Sequence, residues 1–95
     1  MTYDVRHEPG RSRYELFVDG ELVGVADYRL SRDGVATFPH TEIVGHRRGQ
    51  GLGAVLVRAA LDAERAAGHT IVPSCWFVAE FIDDNPDYAD LLAGR

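Results

Sequence analysis

Arg48-Gly49-Gln50-Gly51-Leu52-Gly53 admits few folds. Glycines at alternate positions follow a run that reads as a strand, and apolar residues at helical spacing follow them. Strand, glycine turn and helix together make a phosphate cradle. Glycine lets the backbone approach a ligand closely, and the first N–H groups of a helix have no internal acceptor. The helix dipole adds about 0.3–1 kcal/mol per favourable charge contact. His46-Arg47-Arg48 brings two fixed positive charges to the mouth of the turn, in a chain whose formal charge is -5. The plainer alternative is a tight turn flanked by solvated arginines.

The rest of the chain punctuates cleanly. Tyr14, Leu16 and Val18 alternate with Glu15 and Phe17 as in a strand. Asp19-Gly20 is a hairpin signal. The return strand spans 22–30, with Leu22, Ala26, Tyr28 and Leu30 expected on one face. Ser31-Arg32-Asp33-Gly34 is a second turn, and a further strand spans 35–44. Tyr3 to Glu8 adds a strand in front, closed by Pro9-Gly10. Pro39 lacks the N–H that a central strand donates, so it marks a bulge or an edge.

Residues 51–67 read as a helix, with Leu52, Val55, Leu56, Ala59, Ala60 and Ala63 on the buried face and Gly68 as its C-terminal cap. Thr70-Ile71-Val72-Pro73 is a short strand, parallel to the 35–44 strand through a right-handed crossover. Residues 76–82 form a helix, with Trp76, Phe77 and Phe81 expected in the core. Asn85-Pro86 opens a last short helix anchored by Tyr88, Leu91 and Leu92. The fold class is therefore α+β: an antiparallel meander of three to four strands, a central helix, one parallel strand and two C-terminal helices. Residues 1–95 make one domain.

Composition excludes several classes. No run of about 18 apolar residues is present, so no membrane span is expected. The acidic balance argues against a nucleic-acid partner. The single cysteine forms no internal disulfide and suits a reducing cytoplasm. No Cys/His set has metal-ligand spacing, and His7, His46 and His69 read as surface residues.

Cys75 closes a strand and opens a helix, where the dipole favours thiolate over thiol. It either takes part in chemistry or fills space as a small hydrophobe. His40 and Glu42, two apart on one strand, share a face. They form either a proton relay turned inward beside the bulge or a solvated pair. Thr41 points the other way.

Phe38-Pro39-His40-Thr41-Glu42, Arg48 to Gly53, Val72-Pro73-Ser74-Cys75 and Asn85-Pro86-Asp87-Tyr88 form an ordered set. In it the chain resembles the GNAT acetyltransferase superfamily, and in particular its small single-domain N-acetyltransferase-like members. The resemblance implies an acetyl-CoA site. Its diphosphate would lie on Gly49, Gln50, Gly51, Leu52 and Gly53, with Arg47, Arg48 and the strand end at Val44 beside it. Cys75, Glu42 and His40 would be the catalytic groups. The implied reaction is direct attack of an amine, small-molecule or peptide, on the thioester in a ternary complex. The short link between the first two strands leaves the acceptor side without the helices of larger members. A homodimer or a protein partner would then complete it. A coenzyme A-binding module without turnover is the other class the same turn allows.

Overall fold

The computed structural model describes residues 2–94. Five strands form one sheet in chain order: β1 (Tyr3–Glu8), β2 (Arg13–Val18), β3 (Glu21–Leu30), β4 (Val35–Ile43) and β5 (Thr70–Val72). The first four are antiparallel neighbours, and β5 joins β4 in parallel. The crossover is α1 (Leu52–Ala66). After β5 come α2 (Trp76–Asp84) and a 3-10 segment, Pro86–Leu91, in place of the second expected helix. The α+β architecture is the expected one.

Local chemistry explains the turns. Asp19 and Gly20 both adopt left-handed backbone (φ 51° and 85°), the geometry that matches the twist of a two-residue hairpin. The Asp19 carboxylate accepts the Thr2 N–H at 2.9 Å and so ties β1 to the turn. Ser31 Oγ accepts the Val35 N–H at 3.1 Å across the second turn.

Two irregularities redirect side chains. Leu16 faces Gly24 while Phe17 faces Leu22, so Val23 is an extra residue bulged out of the ladder. The bulge swings Val23 into the core and its carbonyl onto the Val44 N–H at 2.8 Å. Leu22, expected beside Ala26, is consequently 41% exposed. Leu30 stands at the last rung before the turn and is 49% exposed, while Ala26 and Tyr28 are buried as expected. The second irregularity is at Pro39. Asp27 pairs with His40 and Arg29 with Thr37, so Phe38 and Pro39 together oppose Tyr28. Pro39 is a bulge inside the sheet.

The core is a single cluster between the sheet and α1. The buried strip of α1 is Leu52, Gly53, Leu56, Val57, Ala60, Leu61 and Glu64. It is rotated from the expected strip: Val57 and Leu61 are fully buried, and Val55 and Ala63 sit at its margin. At about 25 cal/mol per Å² of apolar area, burying a Leu or Val side chain contributes about 1.5–3 kcal/mol, so this strip holds helix to sheet. Gly68, at φ 79°, ends α1: its N–H reaches the Arg65 carbonyl and the His69 N–H reaches the Glu64 carbonyl.

Two histidines expected at the surface have specific partners. His69 Nδ1 lies 2.8 Å from Glu64 Oε1, and the other Glu64 oxygen accepts the Tyr14 hydroxyl. Glu64 is 2% exposed, so its carboxylate lies inside the core, with His69 at the core's edge. His7 stacks on Tyr14 and its Nε2 lies 2.6 Å from the Tyr28 hydroxyl. Strand register, invisible in local sequence, brings these groups together.

Candidate active site

β4 and β5 pair over three rungs only, Val35–Thr37 against Thr70–Val72. Pro73 then removes a donor and the strands part. One bond spans the fork: the Cys75 N–H donates to the Phe38 carbonyl at 2.8 Å. Beyond it β4 runs on to Ile43, paired with β3 on one side and without β5 on the other. The gap is a cleft of about 730 Å³. Its walls are the free edge of β4, the glycine turn and the first turn of α2.

The glycine turn forms the floor. Gly49 (φ 83°) and Gly51 (φ 75°) take left-handed backbone, which a side chain would strain. Gly53 has a different reason. A Cβ there would lie 2.6 Å from the Phe77 ring, so this glycine lets α2 close on the start of α1. No side chain caps α1. Helix geometry therefore leaves the N–H groups of Leu52, Gly53 and Ala54 without an intrahelical acceptor. Gly51, Leu52, Gly53 and Ala54 all line the cleft. Positive dipole, bare donors and room for a ligand coincide, and that set fits an oxyanion such as a diphosphate.

Both arginines line the same floor. Arg48 lies back along the strand end, its Nε 3.3 Å from the Ile43 carbonyl. Arg47 Nη2 pairs with Glu21 at 3.2 Å, and His46 approaches the same carboxylate at 3.6 Å. Arg48 is therefore the more available cation.

His40 and Glu42 form the rim of the cleft. His40 Nε2 is 3.2 Å from Glu42 Oε1, with the side chains 53% and 60% exposed. The pair exists but is solvated, because the Pro39 bulge keeps both residues on the sheet face away from α1. Thr41 faces the other way, and its hydroxyl oxygen is buried with no hydrogen-bond partner among the described residues. Buried polar atoms normally have partners, so this hydroxyl at the cleft wall is open to one from a ligand.

Cys75, at the head of α2, is partly buried against the core and lines the cleft. Trp76, expected in the core, is 72% exposed and forms part of the cleft wall with Phe77. Its place one residue after Cys75 at a helix start was the available signal. Two expected contributors stand apart. Val44 lends its N–H to the Val23 carbonyl and packs on the core, and Gln50 is exposed; the cleft lining includes neither. Tyr88 is an anchor as expected, donating to Asp62 at 2.7 Å on the outer side of α1. Burial, then that hydrogen bond, raises its phenol above the usual range. Among the described residues no group of His, Cys, Asp or Glu could hold a metal ion, and no helix is long and apolar enough to cross a membrane.

The sequence profile of the GCN5-related N-acetyl-transferase family matches residues 13–91. No curated relative matches the chain. The solution NMR structure of a candidate GCN5-like N-acetyltransferase from Staphylococcus aureus superposes with a TM-score of 0.72. The match covers 97% of this chain and 89% of that one at 19% identity, a likeness of fold. With the profile spanning both the glycine turn and the fork that opens the cleft, this chain belongs to the GCN5-related N-acetyltransferase family.

Proposed function

We propose that the protein is an acetyl-CoA-dependent N-acetyltransferase. The observation that carries this reading is the uncapped start of α1, whose bare N–H groups face a cleft bounded by Cys75 and the His40–Glu42 pair. Gly51, Leu52, Gly53 and Ala54 would hold the diphosphate through the backbone, with Arg48 beside them. The free edge of β4 would hold the extended arm, and the Thr41 hydroxyl would meet one of its polar atoms. Bound there, acetyl-CoA supplies a thioester carbon open to attack by an amine. His40, backed by Glu42, takes the proton that the acceptor ammonium must lose, so that its nitrogen can form the new C–N bond. As the C–S bond breaks, the Cys75 thiol gives a proton to the departing sulfur, and the second proton that the nitrogen sheds as the amide forms passes to water. Solvent exchange resets both groups, and a solvated His40 makes that exchange fast.

The solvated rim also favours a second reading, a module that binds coenzyme A without turnover. Both readings fit a reducing cytoplasm, since Cys75 is a lone free thiol. Titration calorimetry with coenzyme A tests the shared part, and release of free thiol from acetyl-CoA separates the two. An enzyme releases thiol when a lysine or small amine is added, and Cys75→Ala or His40→Ala slows it. Binding without release supports the module. Failure of coenzyme A to bind the folded chain rejects both.

A further inference from the structure

The two outer strands of the sheet are finished differently. β5 is covered: Leu92 bridges Ile71, and the Ala93 N–H donates to the Ile71 carbonyl at 2.9 Å. β1 ends the strand order on the other side, and none of its residues is buried. Its ladder to β2 runs without a shift from Tyr3 opposite Val18 to Glu8 opposite Arg13. No proline, bulge or lysine interrupts it, and those are the devices that blunt an edge.

The register fixes where the backbone groups of β1 point. Thr2 accepts the Asp19 N–H at 2.9 Å, so Thr2 turns its carbonyl toward β2. With the period of two, Asp4, Arg6 and Glu8 do the same. Tyr3, Val5 and His7 therefore turn N–H and C=O outward, and among the described residues no hydrogen bond reaches those groups. Their side chains share a face with Val18, Leu16 and Tyr14, while Asp4 and Arg6 stand on the opposite face.

We propose that this edge is a self-association site, and that it takes β1 of a second copy, antiparallel about a two-fold axis through Val5. Outward groups meet only when Tyr3, Val5 and His7 face one another, and the registers that pair most of the strand centre on Asp4, Val5 or Arg6. Charge chooses among them. Centring on Asp4 sets Asp4 against its own copy. Centring on Arg6 sets Arg6 against its own copy and Asp4 against Glu8. Centring on Val5 sets each Asp4 opposite Arg6 of the other strand, once on either side of the axis. Arg6 spends its Nε on Asp4 of its own chain at 2.7 Å, and among the described residues no hydrogen bond takes its terminal nitrogens. On the helical side the same register lays Tyr3, 44% exposed, beside His7 of the other copy, and Val5 on Val5. β1 and the cleft lie at opposite ends of the strand order, so one continuous sheet forms with both clefts open. Pairing at β1 does not depend on what the cleft binds. A short strand pair is at the small end of interfaces and each copy carries -5, so association is weak and concentration-dependent.

Sedimentation equilibrium from about 10 μM to about 1 mM is the test, and the mass should rise from one chain toward two. Asp4→Arg and Arg6→Asp each set like charges opposite one another and should weaken the dimer at least tenfold, while the two together restore it. Val5→Pro removes an N–H that points away from β2, so the chain should fold and the dimer should be lost. Every variant should keep coenzyme A affinity. A chain that stays monomeric across the range overturns the proposal. So does a dimer untouched by Asp4→Arg, or a double swap no tighter than the single variants. If a capped Thr-Val heptapeptide moves the Tyr3, Val5 and His7 amide NMR signals of a chain that stays monomeric, the edge belongs to a different polypeptide and the proposal falls.

Discussion

The two ends of α1 follow opposite rules. At its C-terminus every strong group is matched. Gly68 closes the last turn, and the buried Glu64 carboxylate takes the Tyr14 hydroxyl and meets His69 Nδ1. At its N-terminus no side chain among the described residues caps the exposed donors, and Gly49 and Gly51 hold left-handed backbone beside them. A saturated end fixes the helix to the sheet. An unsaturated end is stabilised only by something from outside. Stability and binding are thus separated along one helix of 15 residues.

That separation can be broken by substitution. The largest effect is expected at the saturated end. Glu64→Ala strands the buried Tyr14 hydroxyl and the partly buried His69 and should lower unfolding free energy by about 3 kcal/mol, read from urea denaturation, while coenzyme A affinity of the folded fraction holds. Next comes the open end. Gly51→Glu places a side chain and a negative charge in the cradle and should reduce coenzyme A affinity at least 100-fold, about 2.7 kcal/mol, by calorimetry. Its stability loss should stay near 1 kcal/mol, the strain of left-handed backbone. If stability falls further than binding, the two ends are not separable.

A third effect sharpens the comparison through pH. Burial, then the hydrogen bond and charge of Glu64, drives the Tyr14 phenol far above its usual 10.0. Burial raises Tyr28 as well. A proton held more tightly in the folded state contributes stability that is complete below pH 10 and is lost as pH rises above it. For Tyr14 the slope should be about 1.4 kcal/mol per pH unit, and Tyr14→Phe should flatten the dependence of the urea midpoint between pH 9 and 11. The smallest effect is Gly68→Ala, about 1 kcal/mol in stability with no change in binding.

What local chemistry dictates was legible in the sequence. Asp19-Gly20, the period of α1 and its Gly68 stop are each decided within a few residues, whereas Pro39 read as a bulge or an edge until the β3–β4 register decided for the bulge. The glycine turn is decided locally too, and its spacing marks the floor of the cleft. Long-range register decided the rest. Val23 bulges out of the ladder beside Gly24, which packs under Ile43 and Leu56, and the bulge turned Leu22 outward. His7 and His69 acquired partners on other elements, 21 and 5 residues away. Trp76 looked like core by composition, but the strip of α2 that packs inward is Val78, Phe81 and Ile82. The orphaned Thr41 hydroxyl leaves no trace in sequence, because a missing partner shows only in three dimensions.

Phe77 lying on Gly53 has a mechanical consequence. The first turn of α2 is pinned on one side by that ring and on the other by the Cys75–Phe38 bond across the fork. Thiol and helix start are therefore held as one jaw, facing a tail of β4 that its ladder to β3 holds from the other side. A ligand entering such a vice would have little to organise, and the entropy it saves is affinity gained without another contact.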